Sequence, residues 1–185
     1  MSSENCHLNN SGILYLEIDV YISRIFPDIQ EITYDDNSKK LFYEKCDAGM
    51  SQLKCVLDLV KNDDYYPSFI KKSAYLFAAI STGHYFPNGN KRLAMMSLTY
   101  FLALNKCPWK IVSCERYFVF FKKYFPFYKP TKEDFQNITG WSLYNLNKAI
   151  NFKVPGKTDN DLVFKKTKKI VERFLKISLD IKDKY

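Results

Sequence analysis

Histidine is almost missing from this chain. Only His7 and His84 stand among 185 residues, so a histidine-rich metal centre is excluded. Five cysteines, Cys6, Cys46, Cys55, Cys107 and Cys114, form an odd set with no C-x-x-C spacing. That excludes a zinc ribbon or a dithiol redox pair, argues against a disulfide framework and points to a reducing cytoplasm. Long apolar runs are lacking as well. The longest, residues 93–104, is too short to span a bilayer and contains Ser97 and Thr99. No apolar core follows the N-terminus, so no secretory signal is indicated. A soluble cytoplasmic protein with no membrane partner is expected. Glycine is scarce, and neither G-x-x-x-x-G-K-[ST] nor G-x-G-x-x-G occurs. H-E-x-x-H and G-x-S-x-G are absent too, which removes the common phosphate-loop, zinc-protease and serine-hydrolase readings.

Aromatics, by contrast, are abundant. Phe and Tyr together supply 15 and 14 residues, enough to fill a large core, and the length suits one domain. The net charge of +8 suits an acidic partner such as a nucleotide or an acidic protein. A solvated lysine surface gives the same number. Lys far outnumbers Arg, and base-reading proteins lean on Arg, so nucleic acid is not the expected partner.

Along the chain, apolar spacing predicts helices. One covers residues 13–26, stopped before Pro27. Leu53, Val56, Leu57 and Val60 fit a helical face. Another helix starts at Pro67 and runs through Phe69, Ile70, Ser73, Leu76, Phe77 and Ile80, closed by Gly83 in the left-handed region. Asn90 is expected to cap the next, whose apolar side chains cover every face and place it mid-domain. Thr131 reads as the cap of a later helix, and residues 151–159 as a linker. A last helix from Asp161 puts Phe164, Thr167, Val171, Phe174, Leu175 and Ser178 on one side. Lys165, Lys166, Lys168, Lys169 and Lys176 fall mostly elsewhere, as on a solvated outer face.

The chemistry concentrates in residues 84–92. His84 follows a helix end and can accept a proton from a hydroxyl near neutral pH. Gly89 removes a Cβ where backbone must turn or approach a ligand. Asn90 can cap the helix or donate its amide to a phosphoryl oxygen. Lys91 and Arg92 lie in the first helical turn, where cations oppose the dipole unless an anion binds. Phe86 is a candidate buried anchor with no chemical role.

These residues resemble the signature of the Fic/Doc family, His-x-Phe-x-acid-Gly/Ala-Asn-Gly/Lys-Arg. The match falls at His84, Phe86, Gly89, Asn90, Lys91 and Arg92. The resemblance implies an all-α fold: a Fic/Doc-like helical bundle with a small β-hairpin flap, expected within residues 49–57. Residues 1–185 would form a single domain, with a recognisable core at 50–106 and a C-terminal helical extension at 107–185.

The family's members transfer part of a nucleotide, usually AMP from ATP, to a Ser, Thr or Tyr hydroxyl. Lys91, where most AMP-transferring members carry Gly, resembles the Doc branch. Doc toxins phosphorylate elongation factor Tu. By this resemblance the protein is a Doc-like phosphotransferase using ATP and Mg²⁺, the toxin of a toxin–antitoxin pair. The alternatives are an AMP transferase and a catalytically weakened binding module. His84 would be the general base, and Asn88, Gly89, Asn90, Lys91 and Arg92 would hold phosphate. Asn88 stands where the family has an acid, which makes it a weak Mg²⁺ ligand acting through the nucleotide. The inhibitory pattern [ST]-x-x-x-E-[GN] is absent, so restraint would come from a separate antitoxin protein.

Overall fold

The computed structural model describes residues 12–32, 46–128, 138–152 and 160–180. Among them the chain is all helical. In order come α1 (Ile18–Val20), a π-helical turn (Tyr21–Ile25), α2 (Phe26–Ile32), α3 (Asp47–Leu59) and α4 (Phe69–Thr82). Then follow α5 (Asn90–Leu104), α6 (Cys114–Tyr124), α7 (Ile138–Ile150) and α8 (Asn160–Ser178). The described residues contain one isolated antiparallel bridge, Trp109 with Leu179. The expected cap at Thr131 and most of the 151–159 linker lie outside the described residues.

Pro27 does not stop the first helix. The chain passes through it by widening into the π turn, where the Phe26 N–H reaches back five residues to the Tyr21 carbonyl. A proline ring clashes with the carbonyl four residues earlier and donates nothing, and the wider turn relieves that clash. Tyr21, Ile25, Phe26 and Ile29 are fully buried, so burying this face outweighs the local defect.

The residues expected to hold the β-hairpin flap are helical instead. α3 buries Gly49, Leu53, Val56 and Leu57, spaced four, three and one apart along one face. Its C-terminal carbonyls are closed by a lysine from α4. The Lys72 side chain is fully buried, and its Nζ donates to Val60 O at 3.0 Å and Lys61 O at 3.2 Å. It also pairs with Asp63 at 2.8 Å. Those partners account for a charge that could not otherwise be buried.

α4, not α5, is the central helix. Residues 72–81 are all buried, and α4 packs most extensively on α5 and α8. Its small residues Ser73, Ala74, Ala78, Ala79 and Ser81 let neighbours approach from several sides. α5 is apolar around its whole circumference, yet Thr99, Ala103 and Leu104 are exposed. Its inner face carries Leu93, Ala94, Leu98, Phe101 and Leu102, with Phe101 stacked on Phe69 at 5.1 Å. Asn105, just past α5, ties down the N-terminal segment. It accepts from Leu14 N and donates to Leu14 O, both at 2.8 Å. α8 completes the core with Val171, Phe174 and Leu175.

Candidate active site

Residues 83–89 connect the buried end of α4 to the start of α5. The turn out of α4 is not made by a left-handed Gly83, whose φ is −76°. Gly83 is needed for space, because the Tyr85 ring folds back over it and a Cβ there would overlap ring atoms. The Tyr85 hydroxyl donates to Ala79 O at 3.0 Å, which fixes the fold-back. Burial, reinforced by the nearby Cys55, pushes the Tyr85 phenol up to about 12.

The left-handed backbone falls on His84 instead, at φ 49°. Among residues other than glycine, histidine is one of the few that enter this region with any frequency, and such strain clusters at functional sites. The His84 side chain is exposed. Two residues on, Phe86 turns inward, 2 % exposed, and packs edge-on against Phe26 at 5.8 Å.

Asn90 holds the loop shut. Its Oδ1 accepts from Phe86 N at 3.0 Å, and its Nδ2 donates to Phe86 O. This is not the helix cap expected from sequence. The cap position is Gly89 at φ 83°, whose carbonyl accepts from Leu93 N at 2.8 Å. Gly89 takes the left-handed turn and thereby frees the Asn90 amide to clasp the loop.

No side chain caps the start of α5, and its first turn carries Lys91 and Arg92 with no acid. The leading N–H groups of a helix lack intrahelical acceptors, and together with the dipole they attract an anion. Lys91 and Asn88 are exposed, whereas Arg92 is half-buried with one terminal nitrogen fully enclosed. The loop therefore brings an exposed imidazole, an open helix start and two cations into one short segment.

Three supports come from parts of the chain remote in sequence. α3 presses on the loop at Gly49, where a Cβ would overlap the Tyr85 carbonyl oxygen. Cys46 Sγ donates to that same oxygen at 3.4 Å. From α7, Asn147 Nδ2 donates to Lys91 O at 2.7 Å, while its Oδ1 accepts from Ser81 Oγ at 2.7 Å. Asn151 adds bonds to Ser81 Oγ and Asn147 O, both at 2.8 Å. One polar cluster thus fastens the end of α4, the start of α5 and α7 together.

The family model for the Fic/DOC family matches residues 20–102. This region belongs to the Fic/DOC family. No curated protein and no solved structure matches the chain. The Fic/DOC region starts well before residue 50, the expected beginning of the core, and takes in the π turn and α2. Phe26, which backs Phe86, accounts physically for that extension.

Fic/DOC proteins are typically transferases that move AMP or phosphate from nucleotide donors to protein targets, generally with Mg²⁺. The helix start with Lys91 and Arg92 fits nucleotide phosphates. The donor set fits Mg²⁺ poorly, since Asn88 offers an amide oxygen in place of a carboxylate. Among the described residues no three His, Cys, Asp or Glu gather as a metal site. No described helix is long and apolar enough to cross a membrane.

Of the supports, Gly49 left a trace in sequence, as an isolated glycine in a helical pattern. Asn147, Asn151 and Ser81 left none.

Proposed function

We propose that this Fic/DOC protein is a Doc-like phosphotransferase that modifies a hydroxyl of a target protein. The observation that carries the reading is the uncapped start of α5, flanked by Lys91 and Arg92 and reached through exposed His84. His84 accepts the proton of a Ser, Thr or Tyr hydroxyl. The hydroxyl oxygen attacks the γ-phosphorus of ATP, a new P–O bond forms, and the bond to the bridging oxygen breaks so that ADP leaves with the electron pair. Lys91, Arg92 and the first N–H groups of α5 stabilise the phosphoryl oxygens, which is most of what such a transfer requires. Asn90 acts by holding the loop in shape. Any Mg²⁺ would arrive with the nucleotide phosphates. Lys91 favours γ-phosphoryl transfer over AMP transfer, and Asn88 gives the weakened binding module its one argument. The partners of this reading are a target protein in the cytoplasm, such as a translation factor, and an antitoxin protein.

The test uses cell lysate, Mg²⁺ and ATP labelled separately at the α or γ phosphate, with wild type and His84→Ala. Protein labelled from γ alone, and lost in His84→Ala, is the expected result. Labelling from α would move the protein to AMP transfer. No labelling with ATP binding intact would favour the binding module.

A further inference from the structure

A second basic feature lies towards the other end of α4, where Lys71 stands roughly 16 Å along the helix from Thr82. The loop 62–67 enters α4 through a turn in which Asn62 Oδ1 accepts from Asp64 N at 2.9 Å and Tyr65 N at 3.2 Å. The turn lifts Tyr65 out, 67 % exposed, while Tyr66 is buried and stacks on Tyr75 at 4.2 Å. α8 crosses this end of α4, and between them lies a cavity of about 250 Å³. It is lined by Tyr65, Tyr66, Ala74 and Glu172 and by four lysines, Lys71, Lys165, Lys168 and Lys169.

Among the described residues none of the four lysines makes an ion pair, and Glu172 is engaged with Lys176 at 3.2 Å. Lys168 sits among three aromatic rings. Its Nζ lies 5.1 Å from the Tyr66 ring centre, 5.9 Å from Tyr75 and 5.0 Å from Phe164. Burial first, and then the neighbouring Lys165, lower its pKa.

We infer that this groove is a second anion site, separate from the 84–92 loop, and that it takes a nucleoside phosphate. The lysines meet the phosphate, and the exposed Tyr65 ring is a platform for a base. Glu172 pairs with Lys176 through Oε1, so its second oxygen is the acceptor for base or sugar donors. The cavity volume is that of one nucleoside-sized group. The inference does not rest on the transfer chemistry proposed for the loop.

The experiment is equilibrium dialysis of the full chain with labelled AMP, repeated with inorganic phosphate and a short oligonucleotide. The comparison is among wild type, Lys165→Ala/Lys169→Ala, Tyr65→Ala and His84→Ala. Lys165, Lys169 and Tyr65 are exposed, so these variants keep the fold. AMP affinity at one site should fall about tenfold or more in the lysine pair and about tenfold in Tyr65→Ala, with no change in His84→Ala. If the loop binds no nucleotide at all, that site is still present and still lost in the lysine pair. AMP binding indifferent to all three substitutions overturns the inference. AMP binding no tighter than phosphate, with Tyr65→Ala silent, overturns the nucleoside and leaves a plain anion patch. Oligonucleotide binding that strengthens with length overturns it in favour of a nucleic-acid surface.

Discussion

The two ends of α4 make a contrast. At its C-terminal end the proposed chemistry falls on one short segment, its backbone bent through His84 and Gly89 and clasped by Asn90. At its N-terminal end the groove is assembled from side chains of the 62–67 loop, α4 and α8, which lie up to about a hundred residues apart. A backbone-built site is rigid and intolerant, because each turn depends on a particular residue and a specific hydrogen bond. A side-chain-built site tolerates substitution in stability and changes only in what it binds. Variants at the two ends should therefore behave oppositely.

The largest effect belongs to His84→Ala. Removing the proposed base should lower transfer by roughly 10²- to 10⁴-fold. Its side chain is exposed, but alanine tolerates φ 49° less well than histidine, so stability should fall by about 1 kcal/mol or less, and a larger drop would make the residue structural. Asn90→Ala should cost stability and activity together, since it strands the Phe86 N–H and carbonyl in a buried place. The expected loss is about 1–3 kcal/mol for each stranded group, read by urea unfolding. Gly49→Val tests the close approach of α3 to the loop. Its added carbons meet the Tyr85 carbonyl and should cost about 1–3 kcal/mol with the loop displaced. A neutral result would show that α3 can retreat.

At the other end, Lys165→Ala/Lys169→Ala should leave stability within about 0.5 kcal/mol. A melt as damaging as Asn90→Ala would break the contrast outright.

The smallest effect is one of pH. Tyr85 has its folded value raised from the ordinary 10.0 to about 12, so the unfolded chain ionises first as pH rises. Its contribution to stability is complete below pH 10 and is lost progressively between 10 and 12. Urea midpoints on either side of that window should fall with rising pH. Tyr85→Phe should flatten part of the slope.

Much of this was legible in the sequence, and the failures have local causes. The helical faces of α3 and α4 followed from apolar spacing, and the loop from its density of unusual residues. α5 looked central because its periodicity is uniformly apolar. α4 holds that position because its alanines and serines allow close packing on more sides, which hydropathy does not record. Pro27 looked like a stop because the π turn that absorbs it depends on tertiary burial of Tyr21, Ile25 and Phe26. The flap expected at residues 49–57 came from resemblance alone, and the helical spacing of Leu53, Val56 and Leu57 prevailed.

By itself the sequence determined the nine-residue segment to which the proposed chemistry is assigned, because a turn, a helix start and their charges are set by neighbouring residues. Only the tertiary structure decided what holds that segment in place, with Gly49 and Cys46 beneath it and Asn147 reaching across from α7. It also decided that scattered lysines of α4 and α8 meet around Tyr65. Contacts between residues far apart in the chain arise from packing geometry, and no local pattern encodes them.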